Sequence, residues 1–183
     1  MMFFRRFFAS APEAKVAREV YSLIVAKARQ PFFYAKLGVP DTVDGRFDMI
    51  ALHAILVIGR LAKAGAPARG LSQRLFDAMF ADMDRSLREM GVGDLSVGKK
   101  VRTMAEVFYG RAKAYGEAIS RNDMAALERA LARNIFPDGF EAASVSALAA
   151  YVSAAARLLA ERSDKEIVAG ELSFPEPESF ATP

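Results

Sequence analysis

Apolar residues recur along this chain at three- and four-residue steps, and nowhere do they alternate with period two. That pattern predicts helices joined by turns, without strands. Its most informative stretch is VPDTVDGRFDMIALHAILVIGRL, Val39 to Leu61. The opening residues are turn chemistry: Pro40 sets φ, Asp41 and Asp44 can bond nearby backbone N–H groups, and Gly45 allows φ > 0. From Phe47 to Leu61 the apolar residues cover more than one face. A helix apolar all round must be buried by other helices or by a membrane. A membrane span needs roughly 20 mostly apolar residues. Asp48, His53 and Arg60 interrupt this run, so it is expected to be the central helix of a soluble helical domain.

The remaining elements follow from the same spacing. Glu13 to Arg29 carries Val16, Val20, Leu23, Ile24 and Ala28 on one side. Pro31 to Leu37 reads as a short helix or turn, with some of Phe32, Phe33 and Tyr34 packed inward and one or two near the surface. Ala64 to Gly70 is a connector. Ser72 is a plausible cap for a helix ending near Met90, whose face is Leu75, Phe76, Met79, Phe80, Met83 and Leu87. Residues 91–100, GVGDLSVGKK, break the pattern, with Gly91 placed as a left-handed helix stop and Asp94 or Ser96 as the next cap. A helix from Val97 to Ile119 follows, with Val101, Met104, Ala105, Phe108 and Tyr115 inward. Gly110 and Gly116 within it predict a close neighbour or a local end. Asn122 or Asp123 caps a helix to Ile135, Phe136 to Gly139 turns, and Ser144 to Glu161 is a last, Ala-rich helix. The expected fold is all-α: a single compact bundle of about seven helices around a buried central one. Residues 1–12 are read as a flexible aromatic and basic N-terminus, 13–170 as the helical domain, and 171–183 as an extended, disordered tail.

Composition narrows the chemistry. The 183 residues suit one domain, and 52% hydrophobic content excludes disorder for most of it. The chain has no Cys, which excludes disulfides, thiolate catalysis and Cys-based metal sites; a single His excludes a multi-histidine metal site within one chain. A net charge of +3 does not by itself indicate nucleic-acid binding, and no DNA partner is expected. His53 is read first as a hydrogen-bonded core residue, with haem or quinone binding as the lesser alternative. Asp41, Asp44 and Asp48 lack calcium-loop spacing; caps, turn bonds and a pair with Arg46 account for them more simply. The Phe76, Met79, Phe80, Met83 stripe is core by its spacing. Its functional reading, together with Phe32, Phe33 and Tyr34, is a groove for an apolar helix, since Met-rich surfaces adapt to varied partners. Lys99, Lys100, Arg102, Arg111 and Lys113 make one helix strongly basic, which is either a solvated face or a surface for anionic lipid or RNA. At the start, Phe3, Phe4, Phe7 and Phe8 bracket Arg5 and Arg6, a pattern suited to an interfacial membrane contact.

Several long motifs carry a resemblance: YSLIVAKARQPFFYAKLGVPDTVDGRF at 21–47, LHAILVIGRL at 52–61, LFDAMFADMDRSLREMGVGDLSVGKKV at 75–101 and FYGRAKAY at 108–115. In these the chain resembles the ubiquinol–cytochrome c chaperone family, over roughly residues 15 to 135. The resemblance implies an all-α, non-catalytic assembly factor for respiratory complex III, without a cofactor. Mitochondrial members act on newly made cytochrome b, with a smaller partner protein, near the ribosomal exit. Three groups of polar positions carry over as family motifs: Asp41, Thr42, Asp44, Gly45, Arg46 and Phe47; Asp84, Glu89, Gly91, Gly93 and Asp94; and Tyr109, Gly110, Arg111 and Tyr115. His53 joins them as a network residue. The first residues lack the Arg- and Ser-rich segment of an imported protein. The expected location is therefore cytoplasmic, at the cytoplasmic face of the inner membrane. The alternative is a peripheral adaptor that binds anionic lipid or RNA through the basic helix.

Overall fold

The computed structural model describes residues 11–180. Among them are eight α-helices and two short 3-10 turns, with no strand. The helices are α1 (Ala11–Ala28), α2 (Pro31–Ala35), α3 (Val43–Lys63), α4 (Arg69–Glu89), α5 (Asp94–Ser120), α6 (Met124–Ile135), α7 (Ala142–Glu161) and α8 (Asp164–Val168). The central helix is where the pattern put it. Every residue of α3 from Met49 to Val57 is buried, and α1, α4, α5, α6, α7 and α8 all pack on it. The most apolar helix, α7, is long enough to cross a membrane, but half of its apolar window is buried in the bundle. It packs on α3 and α6 as a core helix.

The turn ahead of α3 differs from the expectation: Asp44 and Gly45 already lie in the first turn of the helix, and Thr42 makes the backbone bond expected of an Asp. Thr42 is the N-cap and its hydroxyl accepts from the Gly45 N–H at 3.1 Å. Arg46 donates to Asp41 at 2.6 Å across the outside of the turn. A Cβ at position 45 would stand 2.0 Å from the Pro40 carbonyl oxygen. Gly45 is therefore required by close approach rather than by positive φ.

Several local expectations change. Ala66–Ala68 forms a 3-10 turn that runs straight into α4, so the helix starts at Arg69 after Ala68, and Ser72 lies inside it rather than capping it. Gly91 is left-handed, at φ +82°, as a helix stop. The N-cap of α5 is Gly93, without a side-chain cap bond. Asp94 instead occupies the first turn, where a carboxylate favours the helix dipole, and Arg88 of α4 donates to it. Asp123, not Asn122, caps α6, through the Ala126 N–H at 2.8 Å. Gly110 and Gly116 have nothing within 4 Å of a would-be Cβ, and α5 runs on through both. Neither close packing nor a local end explains them.

The largest correction is the tail. Residues 171–180 of the expected free tail are packed on the bundle, and residues 181–183 lie outside the described residues. Phe174 and Pro177 are buried, Leu172 and Phe180 pack against the core, and Pro177–Phe180 forms a 3-10 turn. Glu176 accepts from Lys27 at 2.7 Å and from Gln30 at 3.3 Å, tying the segment to the end of α1. Three apolar anchors on a proline-stiffened segment make the ordering cheap, because prolines reduce the freedom lost on folding. Just ahead of it, α8 begins with a full capping box between Ser163 and Glu166. That S-x-x-E spacing is the sequence signal that identifies this unexpected helix.

Candidate functional site

Two apolar regions on α3 have opposite character. One is sealed. His53 is fully buried, with Nδ1 2.8 Å from the Met49 carbonyl and Nε2 2.7 Å from the Tyr151 hydroxyl. A carbonyl only accepts, so Nδ1 carries the proton and Nε2 accepts from Tyr151. Burial holds the ring neutral by lowering its pKa to about 4. It also raises the Tyr151 phenol above its ordinary value. Phe33 and Phe174 meet the His53 ring edge-on at 5.8 and 5.0 Å, and Phe180 meets Tyr151 at 5.8 Å. Both imidazole nitrogens are engaged, so His53 offers no lone pair to a ligand. It is the hydrogen-bonded core residue that the sequence predicted.

The other region is open. A groove of about 670 Å³ runs between the start of α3, the last turns of α4 and the first five turns of α5. Phe47, Met83, Leu87 and Met104 line it. Around them, Val43, Met90, Leu95 and Val107 expose large apolar surfaces, and Leu95 is 99% exposed. These four are among the few large apolar side chains exposed anywhere in the described residues. Lys99 and Lys100 stand on the α5 side, and Asp44 and Asp48 on the α3 side. At the α3 end Arg111 donates to Asp48, with both side chains only 13% exposed. Burial raises the Asp48 carboxyl pKa, against the pull of Arg111. Arg111 also donates to the Asn134 carbonyl at 3.2 Å, which links α5 to α6. Its Nε has no partner among the described residues, nor has the Tyr115 hydroxyl, whose pKa burial pushes up to about 12.

Of the three polar motifs, Asp44, Phe47 and Arg111 are in the groove lining and the other residues are not. The Asp41 to Phe47 turn delivers Val43, Asp44 and Phe47 to one end. Arg88 ties Asp84, at 2.6 Å, to Asp94, bracing the α4–α5 corner that carries Met90 and Leu95. Within that corner Glu89 and Gly93 are exposed. Arg111 anchors the same α3 end on Asp48, and Tyr115 is buried one turn further along α5. Tyr109 is 62% exposed, outside the groove lining, and stacked on Phe76 at 5.5 Å; Gly110 beside it is exposed too.

The apolar residues singled out from sequence divide differently. Phe33 and Met79 are fully buried and Phe80 is 8% exposed, so these three belong to the core. Phe32, Tyr34 and Phe76 are half-buried against the core. Of that set, only Met83 reaches the groove. Of its other walls, Met104 was read as core, and Met90, Leu95 and Val107 were missed, because they sit past the end of one helical stripe and beside the next. The basic residues split too. Lys99 and Lys100 line the groove, while Arg102 and Lys113 are exposed and lie outside its lining. Phe3, Phe4, Arg5, Arg6, Phe7 and Phe8 lie outside the described residues.

With this geometry in view, the likenesses to known proteins can be placed. The ubiquinol–cytochrome C chaperone family profile matches residues 35–174. The crystal structure of the Cbp3 homolog from Brucella abortus is 41% identical and covers 91% of this chain and 92% of that one, with a TM-score of 0.85. Ubiquinol-cytochrome-c reductase complex assembly factor 1 of Xenopus laevis is 26% identical over 119 residues, which are 65% of this chain and 59% of that protein. The human protein of the same name is 27% identical over 120 residues, 66% of this chain and 40% of that protein. The match thus spans only part of these longer relatives.

Proposed function

The chain belongs to the ubiquinol–cytochrome c chaperone family, and on that premise we propose that it is an assembly factor for ubiquinol–cytochrome c reductase, respiratory complex III. Its client is newly made cytochrome b or an early intermediate that contains it. The observation that carries this reading is the open groove, whose exposed apolar walls the rest of the fold does not cover. A multi-span membrane protein presents apolar helices before it is assembled, and a Met-rich groove gives them somewhere to bind that is neither water nor each other. The names of the relatives support complex III as the assembly concerned.

The activity is binding rather than covalent chemistry. His53, the sole imidazole, is locked between Met49 and Tyr151. The protein works at the cytoplasmic face of the membrane, where Phe3, Phe4, Phe7 and Phe8 enter the lipid boundary and Arg5 and Arg6 meet anionic headgroups.

A photo-crosslinking residue at Leu95 or Val107, introduced in the native cells, tests the client. Cytochrome b is the expected capture, and the same residue at Arg157, an exposed position on α7, is the control. Deleting the gene should lower assembled complex III while other respiratory complexes persist. Normal cytochrome b in the deletion strain would overturn the reading. Removing residues 1–10 should weaken co-sedimentation with anionic liposomes; unchanged binding would remove the membrane contact.

A further inference from the structure

The groove has a polarity that its apolar lining alone does not require. Its α5 wall runs from Leu95 to Arg111, about 24 Å at 1.5 Å per residue. That is room for one helix of about four turns. Along this length the charges are not mixed. Lys99 and Lys100 lie toward the Leu95 end, and neither has a carboxylate within 4 Å among the described residues. At the other end the one buried cation, Arg111, is already neutralised by Asp48, which leaves Asp44 as the free charge there.

We infer that the groove takes a single amphipathic helix in one direction, its C-terminal turn and any acidic side chains set against Lys99 and Lys100, its N-terminal turn against Asp44. Two physical terms favour this direction together. A helix carries partial negative charge at its C-terminus and partial positive charge at its N-terminus. Unpaired lysines beside an apolar floor also favour acidic flanking residues and disfavour basic ones, so the same two side chains choose both partner and register. Segment 1–10 of the chain itself, with Arg5 and Arg6, has the wrong sign for the lysine end. An acidic, apolar-faced helix from a partner is the better fit. This inference rests on reading the groove as a client site, but it does not require the client to be cytochrome b.

Two designed 18-residue amphipathic peptides test it. They share one apolar face and differ only in a C-terminal Glu pair or Lys pair, and binding to the full chain is followed by fluorescence anisotropy at low salt. The Glu peptide should bind at least tenfold tighter, moving the Glu pair to the N-terminus should abolish that advantage, and Lys99→Glu with Lys100→Glu should reverse the preference. Leu95→Asp should weaken both peptides, since it removes the shared apolar contact. Equal affinity of the two peptides would overturn the inference. So would a preference for anionic vesicles of phosphatidylglycerol over either peptide that Leu95→Asp abolishes. If the charge preference holds while crosslinking captures no cytochrome b, only the choice of client fails. Capture of cytochrome b without a charge preference would instead leave the client and remove the direction.

Discussion

The sealed cluster around His53 and the open groove around Leu95 both border the central helix, and both are rich in large apolar side chains. They differ in what covers them. Over the first the chain lays its own C-terminal segment, with Phe174 on His53 and Phe180 on Tyr151. Over the second it lays nothing among the described residues, and Met90, Leu95 and Val107 face outward at 48%, 99% and 41% exposure. A surface left apolar beside a fold able to cover an equivalent one points to an external occupant. The contrast also separates two kinds of residue. Those in the sealed cluster set stability, and the exposed groove residues Val43, Met90, Leu95 and Val107 can be changed with little cost to the fold.

The predictions press on that contrast. The largest effect belongs to the strap. Phe174→Ala should cost about 3–5 kcal/mol in urea denaturation, as other buried Phe truncations do; a loose tail would show almost no change. Next comes pH. Burial holds the folded pKa of His53 at about 4, below its ordinary 6.5. Between those values the unfolded chain takes up a proton that the folded chain refuses. Stability should therefore fall by about 3 kcal/mol as pH drops from 6.5 to 4, and the loss should level off below that. Subtracting the profile of His53→Leu isolates this part, since the acids held low by their partners, Asp41, Asp84, Glu166 and Glu176, remain in both. Identical slopes would show that His53 is not the group responsible.

Gly45→Ala sits between the two regions. Its new Cβ would press on the Pro40 carbonyl, so the turn must shift, at a cost of about 2 kcal/mol. The loss should appear in the melting temperature and, because Val43 and Asp44 move with the turn, in peptide binding as well. The smallest effect on the fold should come from the groove itself. Leu95→Asp should change stability by no more than about 0.5 kcal/mol, as exposed substitutions usually do, while removing client capture. If Leu95→Asp unfolded the chain as readily as Phe174→Ala, the distinction between the two regions would be lost.

The all-α class, the buried course of α3 and the Gly91 stop were legible in the residues alone, the α6 cap was narrowed to Asn122 or Asp123, and the Thr42 cap was not foreseen. The legible features depend on neighbours within about one turn, where periodicity and backbone chemistry act directly. The engaged state of His53 was also legible, though not its partner: Tyr151 lies 98 positions away. The groove and the strap were not legible, for the same reason. Whether Met79 or Met90 is covered depends on which helix lies against it, and both sit on amphipathic stripes of similar spacing. The prolines and acids of the tail read as a solvated segment until Phe174 is seen to find a slot on α3. Local pattern determined which helices form and which one lies at the centre. Only tertiary packing, through contacts between distant parts of the chain, decided which apolar face was closed from within and which was left open.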